Sequence, residues 1–251
     1  SRRAASLEVM LTDLKSGRSI SLVTLPIQSE SYWGGVAPRI SPDGSRVAFS
    51  AVDASKFSGF MVPAAGGITR KICDCFVRHW AADNRRLIAS DSLWTTGFLD
   101  PDSGQFETIV GPGSAPRTSW DDKWVTFYVA TPDGKTRMWI APVRAGSPAA
   151  EKEWIPLNDG STYEVVPELS PDGSRVYFLS HRDGARCLWV QKLDAAKRPA
   201  GKPEPVYHFH SARRSPIYNR FGQNAASVSR NKIALPITER LGNIWMAELP
   251  Q

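Results

Sequence analysis

Short runs of alternating apolar and polar residues fill this chain almost from end to end. Gly, Pro, Asp or Asn bounds nearly every run. Alternation with period two puts successive side chains on opposite faces of a strand, and the spacing of an amphipathic helix is nearly absent. The runs recur in sets. PRISPDGSRVAFS, RHWAADNRRLIAS, PRTSWDDKWVTFY and PELSPDGSRVYFL each read as strand, turn, strand, anchored on Asp43, Asp83, Asp121 and Asp172. A degraded fifth copy, AASVSRNKIALPI, has Ser229 in the Asp place. The anchors are 40, 38, 51 and 57 residues apart. The shorter spacings are close to the roughly 40–45 residues of a four-stranded propeller blade, and the longer two carry insertions. In the turn, Pro presets φ, Asp bonds the backbone ahead and Gly permits positive φ.

A third strand follows in each copy, carrying Phe60, Phe98, Trp139, Trp189 and Trp245 in register. Large aromatics at such positions pack one unit against the next. A fourth strand follows in TRKICDC, QFETIVG, EWIPLND and EPVYHFH. One such sheet cannot bury both of its faces alone, whereas units stacked around an axis bury them and protect the strand edges. The expectation is one all-β domain over residues 1–251, a β-propeller of four-stranded antiparallel blades. Residues 7–25 form a partial-blade hairpin, and blades span 35–75, 76–112, 113–158, 159–210 and 211–251. Six blades with an incomplete first one are expected, and five are the alternative.

These residues also carry a likeness. SPDGSRVAFS, SPDGSRVYFLSHRDGARCLWVQKLD and the closing GNIWMAEL resemble the TolB-like, WD-repeat-related β-propeller over about residues 35–251. FMVPAAGGITRKICDC, EKEWIPLNDGS and PVYHFHSARRS are similar to the propeller that follows the kinase module in soil-bacterial serine/threonine kinases. The resemblance implies the fold and a neighbouring signalling domain outside this chain. It does not imply a ligand, because propellers host unrelated activities. Asp83-Asn84 and Asp121-Asp122 depart from the Asp-Gly of the other turns.

The formal net charge is +6, with a basic tract from Lys192 to Lys232. Acidic residues are interspersed elsewhere and aromatic and basic residues do not alternate, which favours a solvated surface over nucleic-acid binding. No apolar run approaches the roughly 18 residues of a membrane span. The chain begins with Ser1 and is read as a piece of a longer protein. A monomeric, extracytoplasmic domain of a membrane-tethered protein is expected, with a cytoplasmic one as the alternative. Cys73 and Cys75 read as packed or reduced thiols, with a mutual bridge or half a metal site as the sharper reading.

His181-Arg182-Asp183 matches the start of a kinase catalytic loop, but Leu188 stands where the metal-holding Asn belongs. The tripeptide reads as a turn between strands. No Gly-x-Ser-x-Gly elbow, His-Glu-x-x-His or phosphate loop occurs. Asp100-x-Asp102-x-Gly104 lacks the later ligands of a calcium loop. His208 and His210 share one strand face and with a third ligand would grip a metal. They are read as exposed, and no metal or cofactor is assigned.

The repeat itself supplies a candidate site. Four residues before the anchors stand Arg39, His79, Arg117, Glu168 and Ala225. Equivalent positions on innermost strands aim the same way, so a ring of two Arg, one His and one Glu is expected to line a central channel. Such a ring suits an anionic peptide or metabolite. Tyr32, Trp33, Tyr163 and Tyr218 precede inner strands and are expected on one face as recognition residues. The function expected is a non-catalytic sensor or interaction module for a protein, peptide or small ligand. The alternatives are a channel hydrolase or lyase, with His79 or Glu168 as base, and an envelope scaffold.

Overall fold

The structure, a computed structural model, describes residues 6–13, 15–26, 38–53, 56–210, 214–216 and 226–239. β1 (Ser6–Thr12) and β2 (Ser19–Pro26) form a hairpin. Four antiparallel four-stranded sheets follow. The first is β3 (Arg39–Ile40), β4 (Arg46–Asp53), β5 (Lys56–Pro63) and β6 (Arg70–Cys73); the second is β7 (Phe76–Trp80), β8 (Leu87–Ser90), β9 (Thr96–Leu99) and β10 (Phe106–Val110). The third is β11 (Ser114–Thr118), β12 (Trp124–Ala130), β13 (Thr136–Pro142) and β14 (Ile155–Pro156); the fourth is β15 (Glu164–Leu169), β16 (Arg175–Ser180), β17 (Cys187–Leu193) and β18 (Pro199–Tyr207). A 3-10 turn occupies Glu151–Glu153. β19 (Arg214–Pro216), β20 (Ser227–Val228), β21 (Ile233–Ala234) and β22 (Ile237–Glu239) pair as β19–β22 and β20–β21. No helix among the described residues is long and apolar enough to cross a membrane. The blade count, six or five, depends partly on 217–225 and 240–251, outside the described residues.

Each four-stranded sheet is a simple meander, and the core lies between sheets. Val9 and Leu22 of the hairpin pack on Val47 and Phe49 of the first sheet. Met61 and Ile72 of that sheet meet Val77 and Leu87 of the second. Ile88 and Phe98 meet Val125 and Phe127 of the third, and Met138 and Ile140 meet Val165 and Leu179 of the fourth. The third-strand aromatics border this packing: Phe60 lies against the core between the hairpin and the first sheet, and Trp139 against that between the second and third, while each also meets a ring of its own blade, Phe49 at 5.5 Å and Trp154 at 5.9 Å. Trp245 lies outside the described residues.

The anchor turns explain their own exceptions. Gly44, Asn84, Asp122 and Gly173 occupy one position with φ of 74°, 57°, 53° and 65°. Asn and Asp tolerate this left-handed region better than other non-glycine residues, so Asp-Asn and Asp-Asp substitute for Asp-Gly. Asp43 accepts hydrogen bonds from Ser41 Oγ at 2.6 Å and Ser45 N at 3.0 Å, and Asp172 accepts the same pair from Ser170 at 2.5 Å and Ser174 at 3.0 Å.

Gly97 in β9 is required by packing. A Cβ there would meet Glu107 O at 2.4 Å and the Phe106 ring at 2.7 Å. Gly97→Ala is therefore expected to destabilise the protein by about 1–3 kcal/mol, read by urea unfolding.

The cysteine expectation needs correction. Cys73 and Cys75 form a disulfide, and only Cys187, which is buried, is free. On a straight strand their side chains would point the same way from Cα atoms about 6.6 Å apart, leaving the Cβ atoms farther apart than the roughly 3.5–4.5 Å of a bridge. β6 ends at Cys73, and the bend at Asp74 and Cys75 brings the Cα atoms to 5.2 Å, inside bridging range.

Candidate functional site

The innermost strands carry β-bulges just ahead of the ring positions: between Val77 and His79, Ser114 and Arg117, and Val165 and Glu168. A bulge re-aims the side chains beyond it. After the bulge the ladders fall back into phase. Arg39, His79, Arg117 and Glu168 stand opposite Ala48, Ile88, Thr126 and Tyr177, one equivalent place in four sheets.

All four side chains line one cavity of about 460 Å³. Pro42, Trp80, Ala82, Thr118, Trp120 and Asp122 complete much of its wall, and Ala226 and Ser227 reach it from the last repeat. Ala225 lies outside the described residues.

The wall is stitched across blades. Arg39 Nε donates to Arg78 O at 2.9 Å, and Trp80 Nε1 donates back to Arg39 O at 2.8 Å. The Arg46 guanidinium covers the Trp80 ring at 4.6 Å. Asp122 Oδ2 accepts from Ala82 N, and its Oδ1 accepts from Thr118 Oγ1, both at 2.6 Å. Arg117 Nε faces Glu168 Oε2 at 3.2 Å, with side chains only 9% and 16% exposed.

Electrostatics follow from this crowding. Burial, then Arg117, lowers the Arg39 guanidinium to about 9, with Glu168 acting against them, so it stays charged at neutral pH. Behind it, Arg78 is buried, donates to Ser90 Oγ at 3.0 Å and lies over the Phe76 ring at 4.3 Å. Burial raises Glu168 above the ordinary glutamate range, against the pull of Arg117 and Arg39. Burial likewise raises Asp122. Among the described residues the site thus gathers three guanidinium groups, Arg39, Arg78 and Arg117, around two desolvated carboxylates, Glu168 and Asp122.

His79 is held neutral. Thr118 N donates to its Nε2 at 3.2 Å, which leaves the proton on Nδ1, 2.9 Å from Trp80 O. Burial, with Arg117 next, depresses it to about 3. Both ring nitrogens are engaged: Nε2 joins the second sheet to the third, and Nδ1 bonds the backbone of its own strand.

Tyr163 stands apart from the ring. It precedes β15, whereas the cavity residues cluster near the turn after that strand. Its ring packs edge-on to His181 at 5.5 Å and against the core between the third and fourth sheets. Tyr32, Trp33 and Tyr218 lie outside the described residues.

The ring register does not single out Trp120. It is 53% exposed and lines both this cavity and a neighbouring one with Pro171, Asp172 and Arg230. Its signal is in the sequence: the slot before the anchor Asp holds Pro42, Ala82, Trp120 and Pro171, and Trp is the misfit.

The His-Arg-Asp tripeptide is consumed by structure. His181 Nε2 accepts from Arg186 Nε at 3.0 Å. Arg182 Nε donates to Glu164 Oε1 at 3.0 Å, and its guanidinium lies over Trp189 at 4.9 Å. Asp183 Oδ2 lies 2.7 Å from His208 Nδ1 and 2.9 Å from His210 Nε2.

No protein-family model matches the chain. It is 26% identical over 152 residues to an uncharacterized protein of Agrobacterium fabrum, covering 57% of this chain and 50% of that protein. It is 27% identical over 233 residues to tricorn protease homolog 1 of Streptomyces coelicolor, covering 82% of this chain and 20% of that protein. The chain thus spans half and a fifth of the lengths of these two relatives. Among solved structures, putative TolB from Agrobacterium tumefaciens superposes with a TM-score of 0.61 at 17% identity, covering 95% of this chain and 91% of that one. Likeness at that identity concerns the fold alone, and the fold is a TolB-like β-propeller.

Proposed function

We propose that this propeller is a non-catalytic recognition module that holds an anionic group of a peptide or protein partner at the mouth of the Arg39–His79–Arg117–Glu168 cavity. In this reading it passes occupancy to a signalling domain outside the chain. The observation that carries the reading is the charge composition of the described wall: Arg39 and Arg117 line the cavity and Arg78 stands behind, against Glu168 and Asp122, which burial disfavours as carboxylates. Exposed Trp120 at the rim offers a flat apolar surface beside that charge, a pairing common in peptide recognition.

The His79 geometry speaks against a hydrolase or lyase that uses this imidazole as its base. A general base needs a lone pair free to take a proton, and both nitrogens of this imidazole are committed to backbone groups. The Cys73–Cys75 bridge supports an oxidising, extracytoplasmic setting.

Acidic and neutral tripeptides of equal length, titrated by calorimetry, test the reading. Acidic peptides are expected to bind, and Arg39→Ala is expected to weaken them at least tenfold, about 1.4 kcal/mol, within the range of one charge-assisted hydrogen bond. Equal binding of neutral peptides, or unchanged binding by Arg39→Ala and by the Arg117→Met/Glu168→Gln double variant, would remove the cavity as the site.

A further inference from the structure

A second constellation lies away from the cavity, at the outer part of the fourth blade. Asp183 sits in the turn between β16 and β17, and Cys187 opens β17. His208 and His210 follow β18, which pairs with β17 through Leu188 and Tyr207. Residues separated by 4, 21 and 2 positions thereby converge. One ligand-capable atom from each of the four lies within 4.8 Å of the others.

Four features suit this cluster to a metal ion. The donors are one thiol sulfur, two imidazole nitrogens and one carboxylate oxygen, the mixed soft and borderline set that zinc-class ions favour over calcium or magnesium. With thiolate and carboxylate both ionised, the pair carries two negative charges, which a divalent cation neutralises. Tetrahedral zinc with bonds of about 2.0–2.3 Å needs donors about 3.3–3.8 Å apart, so even the widest pair needs to close by only about 1–1.5 Å, and the Asp183–imidazole pairs open by about 0.5 Å. The surrounding contacts are already oriented. Phe209 N donates to Cys187 Sγ at 3.2 Å, the backbone support that holds a metal thiolate.

A hydrogen-bonded cluster alone leaves something over. Both imidazoles crowd onto the single oxygen Oδ2 of Asp183. Its other oxygen, Oδ1, is buried; the Ala185 N–H and the Cys187 thiol approach the carboxylate, but neither completes a well-aligned hydrogen bond to that oxygen. Buried acceptors rarely remain unsatisfied, and a bound cation satisfies such an oxygen as well as a donor does. Ion entry is open, since Cys187 is buried while the side chains of His208 and His210 are 47% and 53% exposed.

We propose that Asp183, Cys187, His208 and His210 form a binding site for one divalent transition-metal ion of the zinc class. Four protein ligands close the coordination shell, so the ion acts as a clamp and not as a Lewis acid for substrate. It ties the end of β18 to the β16–β17 turn, fixing the chain where it leaves the fourth blade. This site stands independently of the cavity and of the peptide-binding reading.

The probe is cobalt(II), added to the chelator-treated chain with the Cys73–Cys75 bridge intact and one free thiol verified by titration. One equivalent is expected to bind with the visible bands of tetrahedral cobalt and a near-ultraviolet thiolate charge-transfer band, and zinc is expected to displace it. Cys187→Ser removes the charge-transfer band. His208→Ala/His210→Ala, on half-exposed side chains, weakens uptake at least tenfold while circular dichroism stays unchanged. Asp183→Asn gives a second, isosteric check and is also expected to weaken binding. Octahedral spectra only, or cobalt uptake indifferent to Cys187→Ser and to the double His variant, would overturn the site.

Discussion

Replacing Arg117 by Met will lower the unfolding free energy by about 3 kcal/mol, and adding Glu168→Gln in the same chain will restore most of it. Both side chains are largely withdrawn from water and their charged atoms stand 3.2 Å apart. Deleting the cation leaves a desolvated carboxylate whose nearest compensation is gone, whereas a neutral amide needs none. The pH dependence carries a definite sign. Burial already lifts the folded-state value of Glu168 above its ordinary range, so its protonated form is the one the fold prefers. That contribution is fully present below the unfolded-state value and is lost as pH rises through the folded one. Removing Arg117 lifts the value further. The deficit of the Met variant is therefore smallest in acid and grows as pH rises above the ordinary glutamate range toward neutrality. Urea unfolding of the four chains of the cycle, at acidic and neutral pH, measures both effects. A deficit that is pH-independent and unrepaired by Glu168→Gln would mean that Arg117 acts through packing alone.

Much of this molecule is legible without coordinates because its information is local and repeated. The anchor turn is written in four or five consecutive residues, and Asp43 and Asp172 satisfy the same hydrogen bonds wherever the turn recurs. The ring follows from the same regularity, since a fixed offset from the anchor becomes a fixed ladder position in four sheets. What the repeat does not carry is harder to read. The state of His79 depends on Thr118 N, in the next blade and 39 positions away. The Cys73–Cys75 bridge depends on a bend at the end of β6 that two cysteines in an alternating run do not announce. His208 and His210 are visible as a pair, but their partners Asp183 and Cys187 lie more than 20 positions earlier and arrive only through strand pairing. Trp120 is visible as a misfit in its slot, and only the cavity gives that misfit a meaning.

The second large effect concerns the residue at the centre of the kinase-like tripeptide. Arg182→Met is expected to destabilise the protein by about 3 kcal/mol, while Glu164→Gln at the other end of the same pair costs about 1 kcal/mol. The asymmetry comes from solvent. The Glu164 side chain is 1% exposed and that of Arg182 27%. Without the guanidinium, Glu164 keeps bonds from Ser180 Oγ at 2.8 Å and Asn158 Nδ2 at 2.9 Å but remains a buried charge with no cation beside it. Without the carboxylate, Arg182 still reaches water and still covers the Trp189 ring, and the amide that Glu164→Gln introduces can exchange hydrogen bonds with the same Ser and Asn. Combining the two substitutions should therefore cost less than Arg182→Met alone, because the amide no longer needs a counter-ion. Denaturant midpoints for the two single variants and the double provide the measurement. Equal costs for both single changes would place the pair's energy in its geometry and not in the desolvation of Glu164.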